Sequence, residues 1–173
     1  IFLSNFPKLE SPFLYNEKIG YELKPYALIK SGSDNAWYLE RLNSDGFRGP
    51  EYIIPKPKDI FRVLAIGDSL VQQQELRYSE TWCVILENLL NQRGYPLCFE
   101  VINTGIGGYV SWQVLERLKT KGLKYQPDLV ILVVGKNDLL FSTLPYWRPK
   151  INLADIESAY DKQNQNSYQR INF

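Results

Sequence analysis

From Phe61 onward the chain alternates short apolar runs with amphipathic stretches, and this alternation restricts the fold more than any other feature. Phe61-Arg-Val-Leu-Ala-Ile66 ends at Gly67 and suits a strand buried on both faces. Ser79 and Glu80 open a predicted helix whose apolar residues Trp82, Ile85, Leu86, Leu89 and Leu90 recur at the helical period, and Gly94 and Pro96 close it. Cys98 to Asn103 predicts a second strand. Ser111 is positioned to cap a second helix carrying Val114, Leu115 and Leu118, with Gly122 at its end, and Asp128 to Val134 predicts a third strand. Strand, helix, strand, helix, strand with connections of this length requires right-handed crossovers, hence a parallel sheet and an α/β fold.

Residues 1–60 follow no such rule. They hold six of the ten prolines and many aromatic residues without a sustained period, which predicts an irregular lead-in (1–60) ahead of the α/β domain (61–173). Within the lead-in, short strands are expected at Tyr21 to Leu23 and Ala36 to Leu42, and a turn at Ser44-Asp45-Gly46. Beyond Asn137-Asp138 the regularity fades; Asn152 predicts a cap for a short helix over Leu153 to Tyr160, and the polar stretch 163–173 is expected to be mobile.

Composition narrows the function. With 45% hydrophobic residues over 173 positions the chain can bury a core, and a formal charge of +1 without basic clusters argues against nucleic-acid binding and polybasic membrane attachment. No run approaches the length of about 18 apolar residues needed to span a bilayer. Cys83 and Cys98 do not form a Cys-x-x-Cys motif. They fall at opposite ends of a helix of about 14 residues, so roughly 20 Å apart, and both are predicted to be buried free thiols. There is no His and no Met. The first absence removes imidazole chemistry and His-bound zinc, and nothing in the Cys or carboxylate spacing suggests another metal or a cofactor. The second leads us to expect a piece of a longer protein.

Ligands of an open parallel sheet bind beyond the carboxyl ends of its strands. Three segments fall there: Gly67-Asp68-Ser69-Leu70, Asn103-Thr-Gly-Ile-Gly-Gly108 and Gly135-Lys136-Asn137-Asp138. Each alone reads first as a turn or a helix cap. Together they supply the parts of an acyl-transfer site: a hydroxyl nucleophile with its own N–H at Ser69, a glycine-loop N–H, and a side-chain amide at Asn137. Arg48, Arg62, Trp37, Trp112 and Lys136 are compatible with a cleft but equally with surface charge or core packing.

These blocks resemble those of the SGNH (GDSL) hydrolase superfamily. The first matches at 67–70, the second, Asn-x-Gly-x-x-Gly, at 103–108, and the third, Gly-x-Asn-Asp, at 135–138. The stretch Asn43 to Glu51, with Ser79 to Trp82 and Leu86 to Leu90, is similar to a bacterial subgroup, and the likeness extends over roughly residues 40–140. The resemblance implies a three-layer flavodoxin-like sheet, Ser69 as nucleophile, Gly108 and Asn137 as oxyanion donors, no cofactor, and a small-molecule, carbohydrate or lipid ester as substrate. It also leans towards a cell-envelope location. A hydrolase and an acyltransferase to a sugar hydroxyl share these blocks, and a non-catalytic binding module on the same scaffold is a further alternative.

The superfamily's fourth block, Asp-x-x-His, has no counterpart here, because Asp155 and Asp161 have no basic partner three residues on. Two further strand–helix units of about 30 residues each would be due after the third strand, and 36 residues follow Asn137. The expectation is a C-terminally incomplete domain, inactive by itself, with its third strand central in the complete sheet.

Overall fold

The computed structural model describes residues 9–33 and 36–142. The expected helix over 153–160 and the expected mobile end lie outside them. Two antiparallel hairpins come first. β1 (Phe13–Asn16) pairs with β2 (Gly20–Leu23) in the register Phe13 to Leu23, and β3 (Leu28–Ser33) pairs with β4 (Ala36–Arg41) in the register Leu28 to Arg41. The two expected strands are therefore present, each with a partner that aperiodic, aromatic-rich sequence does not announce. The lead-in is more regular than its composition suggests. The turn at 44–46 is also present, closed by the Gly46 N–H donating to Asn43 O at 3.0 Å.

The parallel sheet is built from β5 (Ile60–Gly67), β6 (Cys98–Asn103) and β7 (Leu129–Val133), ordered β6-β5-β7. Both neighbours run parallel to β5, with Val63 opposite Val101 and Leu129, and Gly67 opposite Val133. β5 is buried on both faces because each face is covered by different material. Val63 and Ala65 pack with Val71, Cys83 and Val101 beneath Trp82 and Leu86. On the other face Leu64 joins Phe47, Ile102 and Tyr125, and Ile66 joins Ile19, Tyr21, Leu23, Ile29, Leu42, Tyr109 and Val114. The lead-in thus contributes five of the nine buried residues of the largest apolar cluster. It is part of the core, not an appendage to it.

The helices are α1 (Ser69–Gln72), α2 (Trp82–Asn91), α3 (Ser111–Thr120) and α4 (Lys136–Ser142). Several details depart from the periodicity. A single 3-10 turn occupies Tyr78–Glu80, and α2 begins only at Trp82. Ile85 and Leu89 of the predicted stripe are 48% and 53% exposed, so the buried face of α2 is narrower than its apolar pattern. On α3, Leu115 is exposed while Gln113 and Arg117 face inward. Val114 and Leu118 keep the apolar stripe, and polar residues are buried beside them because the lead-in offers partners: Gln113 Nε2 donates to Ile19 O at 2.7 Å, and Arg117 pairs with Glu22 at 3.3 Å. Arg117 also lies 4.7 Å from the Phe47 ring centroid. Ser111 is the first residue of α3 and not its cap; its own N–H and hydroxyl donate to Asp138.

Both thiols are free, as expected, but only Cys83 is buried; Cys98, at the start of edge strand β6, is exposed. No helix among the described residues is long and apolar enough to cross a membrane.

Candidate active site

The three sequence blocks meet at the carboxyl ends of the parallel strands. Gly67 closes β5, and only glycine fits: a Cβ there would lie 2.2 Å from Val133 O of the neighbouring strand. Asp68 then caps α1, its Oδ1 accepting from Leu70 N at 2.8 Å. Ser69 is the first residue of α1 and is exposed, so its hydroxyl faces outward from a backbone fixed on both sides.

α1 has a single turn, and a turn that short cannot satisfy its carbonyls internally. Outside groups do so. Leu70 O accepts from the Trp82 indole at 3.1 Å, Val71 O from Asn103 Nδ2 at 2.8 Å, and Gln72 O and Gln73 O both from Arg48 Nη1 at 2.7 Å. The same guanidinium pairs with Glu40 at 2.6 Å and reaches Leu76 O at 2.9 Å. Arg48 is 1% exposed. It is a fastener beneath the turn that carries Ser69, not a cleft-lining residue, and no local pattern signals that role. Arg62 is likewise buried, tied to Glu100 and to the carbonyls of Ile53 and Tyr125. Trp112 packs against the core, Lys136 is exposed at the start of α4, and the Trp37 side chain is outside the described residues.

The glycine loop lies against α1. Gly107 N donates to Gln72 Oε1 at 2.7 Å, so that N–H is committed to the scaffold. Gly108 follows with φ +80° and is exposed; among the described residues no acceptor is paired with its N–H or with that of Ser69. A Cβ at Gly108 would also meet Tyr21 Oη at 2.9 Å, so both the backbone conformation and the space favour glycine.

Asn137 joins the third block to the other two. Its Nδ2 donates to Tyr109 O at 2.8 Å and to Asp68 Oδ2 at 3.3 Å, and the residue is 8% exposed. Its neighbour Asp138 receives Ser111 N at 3.1 Å and Ser111 Oγ at 2.5 Å. Burial works against the Asp138 charge, but those bonds prevail and hold its carboxyl below the ordinary value.

Ser69, Gly108 and Asn137 thus share one rim, through Asp68 to Asn137, Gln72 to Gly107 and Asn137 to Tyr109. Asp68, Gln72, Tyr109 and Tyr21 belong to the site's support and were not singled out from sequence. Asp before Ser at a strand end is a legible helix-cap signal; the other three carry none. No cluster of metal-ligating side chains occurs among the described residues.

Residues 65–165, more than half of the chain, match the family model described as the GDSL-like Lipase/Acylhydrolase family. Over 83 residues the chain is 32% identical to Esterase TesA of Pseudomonas aeruginosa, which covers 48% of this chain and 40% of that protein. Among solved structures it is similar to AlinE4, an SGNH-hydrolase family esterase, with 31% identity, TM-score 0.42, and coverage of 50% of this chain and 46% of that one. It is also similar to the acetyl xylan esterase AlAXEase, with 29% identity, TM-score 0.41, and coverage of 48% and 41%. The chain therefore spans less than half the length of each of these relatives.

Proposed function

The chain belongs to the GDSL-like lipase/acylhydrolase family, and from that premise we propose that it carries the nucleophile and oxyanion parts of a Ser-dependent esterase acting on carboxylic esters. Ser69 Oγ attacks the ester carbonyl and an acyl-enzyme forms as the alcohol leaves. The tetrahedral oxyanion receives the N–H groups of Ser69 and Gly108 and the Asn137 amide, which exchanges its long bond to Asp68 for the new one. The substrates we favour are small acyl groups on carbohydrates or lipids. In this reading β6-β5-β7 are the first three strands of a flavodoxin-like, three-layer domain. The base that takes the Ser69 proton is a histidine in an Asp-x-x-His block that the 173 residues do not contain.

The observation that carries the proposal is the hydrogen-bonded closure of the three blocks around an exposed Ser69. The test is hydrolysis of p-nitrophenyl acetate by this chain and by Ser69→Ala, without and with imidazole as an added base. Without imidazole the two rates should coincide, since triad enzymes lose several orders of magnitude with their base. With imidazole the unaltered chain should exceed Ser69→Ala. Equal rates at every imidazole concentration would remove Ser69 as nucleophile, and a Ser69-dependent rate without imidazole would place the base within these residues.

A further inference from the structure

The lead-in hairpin β1–β2 reaches the glycine loop through one side chain. Tyr21, 7% exposed, donates its hydroxyl to Gly107 O at 2.7 Å, and the Tyr109 hydroxyl donates in return to Tyr21 O. The two rings pack edge to face with centroids 5.1 Å apart, and Phe13 also packs edge to face with Tyr21 at 5.5 Å. Burial raises both phenols above their ordinary range, so each remains an O–H donor in neutral solution.

The peptide joining Gly107 to Gly108 is trans, so its C=O and N–H point in opposite directions across one plane. A two-glycine sequence leaves that plane free to turn, since neither residue has a Cβ to restrict it. The Gly107 N–H is fixed on Gln72, and the Gly107 carbonyl is fixed on Tyr21. What remains of the unit is the Gly108 N–H, which must point away from the hairpin. A hydrogen bond accepted by the carbonyl also polarises the same peptide and strengthens its N–H as a donor.

We propose that Tyr21 is a positioning residue for the oxyanion site: by holding the Gly107 carbonyl it sets the direction of the Gly108 N–H. The assignment rests on the reading of Gly108 as an oxyanion donor. It gives the lead-in a part in the chemistry through a buried side chain beneath the glycine loop.

The experiment compares the unaltered chain with Tyr21→Phe, which keeps the ring and deletes the donor, and with Phe13→Leu, which loosens the packing on Tyr21 and keeps the hydroxyl. Two readouts are taken: the backbone 13C and 15N–1H resonances of Gly107 and Gly108, and the Ser69-dependent, imidazole-supported hydrolysis of p-nitrophenyl acetate. Tyr21→Phe should move the Gly107 carbonyl upfield, shift the Gly108 amide, and lower the rate about tenfold, less than the loss of an oxyanion donor itself. Phe13→Leu should lower the unfolding temperature while leaving the rate within about twofold. An unmoved Gly107 carbonyl in Tyr21→Phe, or a moved carbonyl with an unchanged rate, overturns the proposal. If the unaltered chain shows no Ser69-dependent rate, the esterase reading fails separately, and the carbonyl resonance still decides whether Tyr21 holds this peptide.

Discussion

Two turns of this molecule do the same topological job and are held very differently. α1 and α4 each follow the carboxyl end of a parallel strand, and each presents a site residue in its first turn, Ser69 in one and Asn137 in the other. The backbone carbonyls of α1 end on side chains from α2, β6 and the lead-in, and the strand before it is buried on both faces. α4 is tethered through Asn137 and Asp138, and the strand before it leaves Leu129 48% and Leu132 58% exposed. The difference follows from position. β5 has neighbours on both sides, whereas β7 is paired on one side among the described residues. Under the proposed reading Ser69 needs a fixed backbone beneath a solvent-facing hydroxyl, whereas the Asn137 amide, buried between Asp68 and Tyr109, is fixed by its own side-chain bonds.

If the contrast is real, cutting the fasteners of α1 should cost far more than cutting those of α4. Arg48→Ala removes the side-chain donor to Gln72 O and leaves Glu40 without its ion-pair partner, and loss of one member of a buried pair typically costs about 3–5 kcal/mol. Urea denaturation should show that loss, and a change under about 1 kcal/mol would mean that the turn stands without its clamp. Asn137→Ala removes the two hydrogen bonds made by one amide nitrogen and should cost about 1–2 kcal/mol in the same measurement.

Ser111→Ala is the smallest change and tests α4 through pH. The Asp138 carboxyl is depressed by its bonds to Ser111. Its contribution is therefore present above the ordinary carboxylate pKa and lost as pH falls through the lower folded value. Stability measured from pH 7 down to pH 3 should fall for both chains, and less for Ser111→Ala, with a difference below about 1 kcal/mol because Asp138 is only half-buried. Identical pH profiles would show that the Ser111 hydroxyl does not hold the Asp138 charge and that its backbone N–H suffices.

The strands of the α/β part and the three blocks were legible because their signals are local: apolar runs closed by glycine, and Gly, Asp, Ser and Asn at strand ends. Supports acting over long sequence distances were not. Arg48 meets Gln72 24 positions away, Tyr21 meets Gly107 86 away, and Gln113 meets Ile19 94 away. No period encodes such a bond. The same reason explains the one departure on α3: Val114 and Leu118 pack inward as the stripe predicts, but Leu115 is exposed, and Gln113 and Arg117 turn inward to polar partners in the lead-in. Ser111 was misread as a cap because its partner, Asp138, lies in another element.

The Arg48 clamp separates where the motifs begin from where the working unit begins. A polypeptide cut to start at β5 would keep Gly67-Asp68-Ser69, the glycine loop and Asn137 intact. It would strand the carbonyls of Gln72 and Gln73, release the Gly107 peptide, and uncover Ile66, Ile106 and Val114. The smallest excisable block therefore reaches back at least to the β1–β2 hairpin, some fifty residues ahead of Gly67-Asp68-Ser69.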